Sequence, residues 1–247
     1  NNVLWNLWAS DGRGLLWWCA FDQDGLNLAP YDWEGPGPEH GLFSAAGVPH
    51  PTAEAMARFR RFIDGLPFKA LPPLETEAIC ILGDQRQDQV AVSASTFMLA
   101  RQAGFNLKFR HQGQEWERAP LYVLPSVQGK AGLTAAKWDA LRDRVRAGAT
   151  LYLSMDEPYL PRFEELFGAQ VVTRTADGKG RAYRLDLGGG AVDLALNPAW
   201  NYSMESTRAT VLGKSTDENP VFFECAYGAG RVFLLAFPLE RLMMDVQ

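Results

Sequence analysis

The feature that most restricts the fold of this chain is a continuous apolar run, Gly14 to Asp22, which ends in acidic residues. A run of this kind is typical of a strand covered on both faces, as in a parallel sheet or a barrel. Alternation along such a strand places Trp18 and Asp22 on one face and Trp17 on the other. Parallel folds carry their chemistry at the carboxyl ends of strands, and a ring beside a carboxylate suits a sugar. In the alternative interpretation, both tryptophans are simply core residues.

Composition restricts the class of protein and its partners. The 247 residues are 47% apolar and 21% charged, which is typical of a soluble globular protein with one large or two ordinary domains. No apolar run reaches the roughly 20 residues of a membrane span. A net charge of -5 disfavours nucleic acid and anionic membranes as partners. We therefore expect a soluble protein, with the cytoplasm as the favoured location.

The three cysteines and the first residues carry further expectations. Cys19, Cys80 and Cys225 are far apart and each lies in an apolar run, so they are expected to be buried thiols. This spacing indicates neither a disulfide framework nor a zinc site, and we expect no metal and no cofactor. The chain opens on Asn1 without a signal peptide or an initiator methionine. We expect it to be the interior of a longer protein.

Residues 1–66 are predicted to form one helix–strand–loop–helix unit. Apolar residues spaced for a helix face occupy residues 3–9, and the predicted strand follows a short Gly-containing link. A long loop then runs from residue 22 to residue 47, and loops of this size in compact domains are usually functional or disordered. Pro51 begins a helix that Gly65 ends. This order is typical of the last unit of a β/α barrel.

A Pro-rich linker over residues 67–76 separates this unit from a second predicted domain, residues 77–247. Strand and helix patterns alternate up to residue 154, which predicts a parallel sheet covered on both faces. From residue 170 onward the pattern becomes β-rich, with hairpin turns predicted at residues 188–190 and 227–230. The predicted strands are 78–82, 106–109, 121–124, 150–154, 171–172, 183–187, 191–195, 221–226 and 231–236, and the predicted helices are 89–103 and 134–147.

The residues that could carry chemistry are acidic and aromatic. Glycosidases need two carboxylates about 5–10 Å apart, and this chain offers five near its predicted first strand: Asp22, Asp24, Asp32, Glu34 and Glu39. Carboxylates in a loop are more often solvated surface charges. His40 could orient a sugar hydroxyl or Glu39, or could be an ordinary loop histidine. In the second domain, Met155 stands where an amidotransferase would need its cysteine, and no phosphate-binding loop follows the first strand.

Several segments together resemble a known family. Residues 14–22, the Pro30-Tyr31 loop, residues 39–43 and the helix after Pro51 resemble the end of a TIM-barrel glycoside hydrolase. Residues 122–126, 141–154, 163–168 and 228–233 resemble the trimerisation domain of microbial β-galactosidases. That domain has a class I glutamine amidotransferase fold, which is flavodoxin-like, without the catalytic cysteine. The resemblance implies an α/β fold in which the last β/α unit of a barrel precedes a parallel-sheet domain with a β-rich end.

The resemblance also implies a function for the parent protein. It would hydrolyse O-glycosidic bonds, with its catalytic glutamates on a barrel portion upstream of Asn1. The implied sugar-contacting residues of this chain are Trp18, Asp22, Trp33, Glu39 and His40. The resemblance further implies self-association as a homo-oligomer, a trimer in that family. The alternative is a non-catalytic carbohydrate-binding or assembly module, and an active amidotransferase-like hydrolase is disfavoured by Met155.

Overall fold

The computed structural model describes residues 4, 7, 8, 12, 14–23, 29, 40–68, 75–83, 89–129, 132–158, 160–176, 179–186 and 189–243. The chain divides into two compact units, Asn1–Leu74 (unit 1) and Glu75–Gln247 (unit 2). The division falls inside the segment 67–76 that we predict as a linker.

Unit 1 contains one complete described helix, α1 (Pro51–Asp64). His50 has the extended backbone of an N-cap residue, and Pro51 fits the first turn because its missing N–H would have had no partner there. No residue of α1 is fully buried. Trp8, one of the helical residues near the start of the chain, meets the rings of Phe59 and Phe62 edge-on, with centroids 6.5 and 6.1 Å apart. These contacts form a small, partly exposed aromatic cluster in unit 1.

The buried strand predicted over residues 14–22 is not found. Within the described residues of this segment, Phe21 alone makes a β-bridge, to Phe43. The large side chains are exposed rather than covered, with Leu16 99% and Trp18 75% accessible. A strand is stable when neighbouring strands accept and donate its backbone hydrogen bonds and cover its faces. The described part of unit 1 offers this segment a neighbour only around Phe43. Cys19 is correspondingly half-buried, against the expectation of a buried thiol.

Unit 2 is a mixed α/β domain whose described residues form a nine-stranded sheet and a two-stranded sheet. Its strands are β1 (Ala78–Leu82), β2 (Leu107–His111), β3 (Leu121–Gly129), β4 (Thr150–Pro158), β5 (Ala169–Thr175), β6 (Arg181–Asp186), β7 (Ala191–Leu196), β8 (Asn201–Ser206), β9 (Thr210–Ser215), β10 (Pro220–Tyr227) and β11 (Gly230–Leu235). Its helices are α2 (Gln89–Gln102), α3 (Ala135–Arg146), α4 (Phe163–Phe167) and α5 (Leu239–Leu242).

The large sheet is parallel in one half and antiparallel in the other. Its strand order is β2-β1-β3-β4-β11-β10-β9-β6-β7. The five strands from β2 to β11 pair in parallel, and the strands from β11 to β7 pair antiparallel. The separate ribbon pairs β5 with β8. The expectation of a parallel sheet is therefore correct for its first half alone, and the β-rich end extends the same sheet.

The core of unit 2 lies on both faces of this sheet. The first four residues of β1 are fully buried, as a continuous apolar run predicts for a parallel strand. Helix α3 covers one face with Trp138, Leu141 and Val145, and Thr134 caps its start by accepting a hydrogen bond from the Lys137 N–H. Helix α2 is unusual because its buried positions include Ser95 and Thr96, while bulkier apolar residues point outward.

Candidate functional site

The best-organised group of polar atoms in unit 1 surrounds the carboxylate of Asp22. Its Oδ1 accepts a hydrogen bond from the backbone N–H of Gly41 at 2.9 Å, and its Oδ2 lies 2.6 Å from Nε2 of His50. The Asp22 side chain is 11% exposed and that of His50 35% exposed. Both carboxylate oxygens are thus held in place, and the Asp22 side chain keeps a small accessible fraction.

Backbone hydrogen bonds bring this group together from segments that are far apart in sequence. The Asp22 N–H donates to the Phe43 carbonyl at 2.8 Å, and the Phe43 N–H donates to the Ala20 carbonyl at 3.0 Å. The His50 N–H donates to the Leu42 carbonyl at 2.9 Å, which fixes the imidazole at the start of α1. At Gly41, a Cβ would lie 2.4 Å from the Asp22 nitrogen. Only glycine fits this close approach of two backbones.

Two tryptophan rings are displayed on the same segment as Asp22. The Trp17 indole Nε1 donates to the His40 carbonyl at 3.0 Å, which anchors the ring while leaving 43% of the residue accessible. Trp18 is more exposed, and the peptide bond that follows it is cis. Phe21 stacks at a tilt on Phe43, with ring centroids 5.6 Å apart. Unit 1 therefore presents aromatic surface close in sequence to a pinned carboxylate.

The His50 hydrogen bond is the largest of the effects that lower the pKa of Asp22 below its ordinary value of 3.8. Partial burial acts in the opposite direction, and the Gly41 N–H and the nearby His40 also favour the ionised form. Asp22 is consequently a carboxylate at neutral pH. An ionised carboxylate has about four lone-pair sites, so it can still accept hydrogen bonds from a ligand hydroxyl.

The predicted site residues have different outcomes. Asp22 is described and organised, and Trp18 is described and exposed. His40 contributes its backbone carbonyl to Trp17, while its own side chain is exposed. Trp33 and Glu39 lie outside the described residues. Sequence reasoning missed His50 as a partner of Asp22, although a histidine directly before a helix-starting proline is a fixed position from which an imidazole can be aimed.

A second polar cluster lies inside unit 2, along the middle of the neighbouring strands β3 and β4. The Glu240 carboxylate accepts hydrogen bonds from the hydroxyls of Ser126 at 2.9 Å, Tyr152 at 2.8 Å and Ser154. Ser126 has a φ of 47° and lies where the β3–β4 register shifts, so its backbone is re-aimed by a bulge. Ser126, Ser154 and Glu240 are all buried. The cluster stabilises the domain interior and leaves no accessible nucleophile.

Met155 is buried directly beside this cluster along β4. The position at which an amidotransferase would carry its catalytic cysteine is thus a core position. Burial, and next the charge of Glu240, raise the pKa of the Cys80 thiol, and burial raises that of Cys225. Among the described residues, no three acidic, histidine or cysteine side chains gather as metal ligands, and none of the helices is long and apolar enough to cross a membrane.

No protein-family model matches this chain, and no curated protein sequence matches it. Solved structures do match. An exo-β-1,4-mannosidase from Opitutaceae bacterium strain TAV5 gives a TM-score of 0.69 at 17% identity, over 94% of this chain and 42% of that chain. A β-galactosidase from Bacillus circulans sp. alkalophilus gives 0.69 at 12% identity, over 98% and 40%. A GH42 β-galactosidase from G. stearothermophilus gives 0.65 at 13% identity, over 94% and 37%.

This chain therefore spans about two fifths of the length of these structures. Sequence identities this low carry no information about individual residues, while the TM-scores and the coverage of this chain carry information about architecture. The chain shares its fold with a part of glycoside hydrolases that include β-galactosidases and a mannosidase.

Proposed function

We propose that this chain is part of a glycoside hydrolase and that unit 1 contributes sugar-contacting residues to it. The observation that carries the proposal is the ionised Asp22 carboxylate, which His50 and the Gly41 N–H hold in one orientation on the segment that displays Trp18. A fixed acceptor with a nearby accessible ring is the combination by which proteins bind the hydroxyls and the apolar face of a pyranose.

The shared fold supports the same proposal from a separate direction. The three matching glycosidases are each more than twice as long as the segment that this chain covers. We place the catalytic acid and nucleophile in the portion of the parent enzyme that this chain does not span. In this arrangement the 247-residue chain hydrolyses no glycoside alone. Its parent acts on β-galactosides or on related O-glycosides such as mannosides.

Within such an enzyme, Asp22 would be a binding residue. Its Oδ1 is directed by Gly41 and its Oδ2 by His50, so the remaining lone pairs point in fixed directions. A sugar hydroxyl that donates to this carboxylate forms a charge-assisted hydrogen bond, which is roughly twice as strong as a neutral one. The Trp18 ring would cover an apolar face of the sugar. Trp33, Glu39 and the His40 imidazole remain proposed additions to this surface.

The test is steady-state kinetics of the complete parent protein on nitrophenyl β-galactosides and β-mannosides. Asp22→Asn should lower kcat/KM by about tenfold to a hundredfold, the effect expected for the loss of a charge-assisted hydrogen bond. Asp64→Asn is the matched control, because Asp64 is an exposed carboxylate that also pairs with a basic side chain, Arg60, at 2.8 Å. An unchanged kcat/KM in Asp22→Asn, or turnover by the 247-residue chain alone, would contradict the proposal.

The alternative of an assembly module is favoured by one observation on unit 2. Ser95 and Thr96 of helix α2 are buried. The helix and the turn after it expose four bulky apolar side chains: Val90, Phe97, Met98 and Phe105. Burying such a row between copies of the chain would stabilise a homo-oligomer, and the resemblance implies a trimer. Light scattering should give an oligomer mass that Met98→Glu reduces to the monomer. Val192→Glu, at an exposed valine of β7, should leave the mass unchanged.

A further inference from the structure

A polar cavity lies in unit 2 between the β5–β8 ribbon and strands β6 and β9 of the large sheet. Its volume is about 200 Å³, below the roughly 300–1,000 Å³ of pockets that take drug-sized ligands. Buried Tyr183, Val221 and Ala236 supply its apolar lining. Its polar lining combines the Asn201 and Asn219 amides with hydroxyl groups and an ion pair, from Thr173, Thr175, Arg181, Ser203, Ser215 and Asp217 among others. The size limits a ligand to a small molecule with a single ring.

Among the described residues that line this cavity, the charges of Arg181 and Asp217 cancel. Arg181 Nη1 lies 2.5 Å from Asp217 Oδ2, and the Ser215 hydroxyl donates to the other oxygen, Oδ1. The Ser215 hydrogen bond, and then the charge of Arg181, lower the pKa of Asp217, while partial burial raises it. Asp217 is thus ionised beside a permanent cation. A site with no net charge favours neither anions nor cations, so its selectivity comes from hydrogen bonding.

Three hydroxyls on the ribbon side have no intramolecular hydrogen bond among the described residues: those of Thr173, Thr175 and Ser203. Thr173 and Ser203 are opposite each other in the β5–β8 pairing, directly after a register shift. A bulge of this kind re-aims side chains, and here it brings two hydroxyls to one cavity. Each hydroxyl can both donate and accept, which is also the requirement of each hydroxyl of a sugar or another polyol.

The wall that carries these hydroxyls is fixed in place. Asn219 donates its side-chain N–H to the Tyr202 carbonyl at 2.8 Å and accepts from the Met204 N–H at 2.9 Å, so β8 is tied to the turn before β10. The Tyr202 hydroxyl donates to the Asp156 carbonyl at 2.6 Å. A preorganised wall loses little conformational entropy when a ligand binds.

We propose that this cavity binds a neutral polyhydroxylated ligand of the size of one monosaccharide. The ribbon hydroxyls and the Asp217–Arg181 pair would supply the donors and acceptors, and the Tyr183 side would receive the apolar part of the ring. The site shares no residue with the proposed sugar-contacting surface, because every residue that lines it belongs to unit 2. Its existence does not depend on the glycosidase proposal.

The test is saturation-transfer NMR of the full 247-residue chain with D-galactose, D-mannose and D-glucose as probes. All measurements use the Trp18→Ala background, so that signal from the proposed surface of unit 1 is removed. At least one hexose should bind with a millimolar Kd. Thr173→Val combined with Ser203→Ala should weaken that binding by about tenfold or more, since each lost hydrogen bond changes affinity by a few-fold. The matched control is Thr210→Val, at an exposed threonine of β9 that does not line the cavity.

The result has clear opposing outcomes. Thr173 and Ser203 are exposed and make no side-chain hydrogen bond within the described chain. The circular dichroism spectrum of their variants should therefore match that of the unsubstituted 247-residue chain. Asp217→Asn is a second variant that removes the carboxylate while keeping its shape, and it should also weaken binding. No hexose binding, binding unchanged in both cavity variants, or binding of inorganic phosphate in place of the hexoses would overturn the proposal. Failure of the Asp22→Asn kinetic test would leave this site standing.

Discussion

Units 1 and 2 both carry large apolar side chains, which are buried in unit 2 and largely exposed in the described part of unit 1. In unit 2, Trp138 and Phe223 are at most 1% exposed and lie against a nine-stranded sheet. In unit 1, helix α1 has no buried residue, and Leu16 and Trp18 are among the most exposed apolar residues described. The difference shows that the residue type does not decide burial. The available neighbours decide it.

The central strands of unit 2 pair with a strand on each side, and the segment 14–22 has no such pairing within the described residues. Strand β4 pairs with β11, whose sequence position is some distance beyond it, and both thereby become central strands. The segment 14–22 finds a bridge at Phe43 alone within the described residues. Its apolar side chains therefore form a surface, and apolar surfaces of this kind mark sites of interaction.

Thiol reactivity should give the largest contrast between the units. Cys80 is fully buried in β1 and its pKa is raised, so a thiol reagent can reach it only when unit 2 opens. With an ordinary domain stability of about 5 kcal/mol or more, Cys80 should react at least about a thousandfold more slowly than Cys19. Mass spectrometry of the chain after timed labelling measures both rates. In denaturant the rates should become equal, and equal rates in the native state would contradict the contrast.

Tryptophan truncation should give the next largest contrast, now in stability. Trp138→Ala should lower the free energy of unfolding by about 3–5 kcal/mol, because it removes a buried ring and leaves a hydrogen bond to the Pro161 carbonyl unmade. Trp18→Ala is the matched control and should change it by less than about 0.5 kcal/mol. Denaturant unfolding followed by circular dichroism measures both. A large loss for Trp18→Ala would mean that its ring is covered in solution.

A smaller effect on stability is expected for the solvent-exposed ion pairs of Glu117 in unit 2. The ion pairs with Arg110 and Lys108 lower the pKa of Glu117 to about 2 from its ordinary value of 4.5. Because the folded pKa is the lower one, the stabilisation is complete above pH 4.5 and is lost as the pH falls toward about 2. Solvent screens an exposed pair, so Glu117→Gln should cost at most about 1 kcal/mol at neutral pH. The loss of stability on Glu117→Gln is measured from urea midpoints at neutral pH and again at a pH near about 2, where the loss should largely vanish. Glu115→Gln, at a more exposed neighbour, is the control.

The order of elements in unit 2 follows from local sequence pattern. The alternation of strands and helices up to residue 154 is confirmed, as is the antiparallel pairing of β6 with β7 and of β10 with β11 that the predicted hairpins require. Turns and periodicity are set by neighbours in sequence. Strands β8 and β9 were missed, since their short polar stretches carry weak alternation. Local sequence pattern also could not predict that the β-rich end joins the parallel sheet through the pairing of β11 with β4.

The candidate site divides in the same way. Asp22 stands out in sequence because an acid ends an apolar run. Its partner His50 is invisible to local pattern, since the contact depends on how Phe43 pairs with two other segments. The predicted burial of the segment failed for a related reason: a pattern states what a strand needs, and cannot state whether the neighbours are provided.

The position of β11 has a consequence for how the domain is made. Of the described strands it comes last in chain order, yet it lies in the middle of the sheet, between β4 and β10. A chain synthesised from its N-terminus at about 5–20 residues per second must hold β4 with an open edge until Gly230–Leu235 has emerged. The parallel and antiparallel halves of the sheet can therefore be joined only after β11 has been synthesised. Synthesis on the ribosome, rather than the finished fold, is the stage at which this domain is most open to wrong pairing.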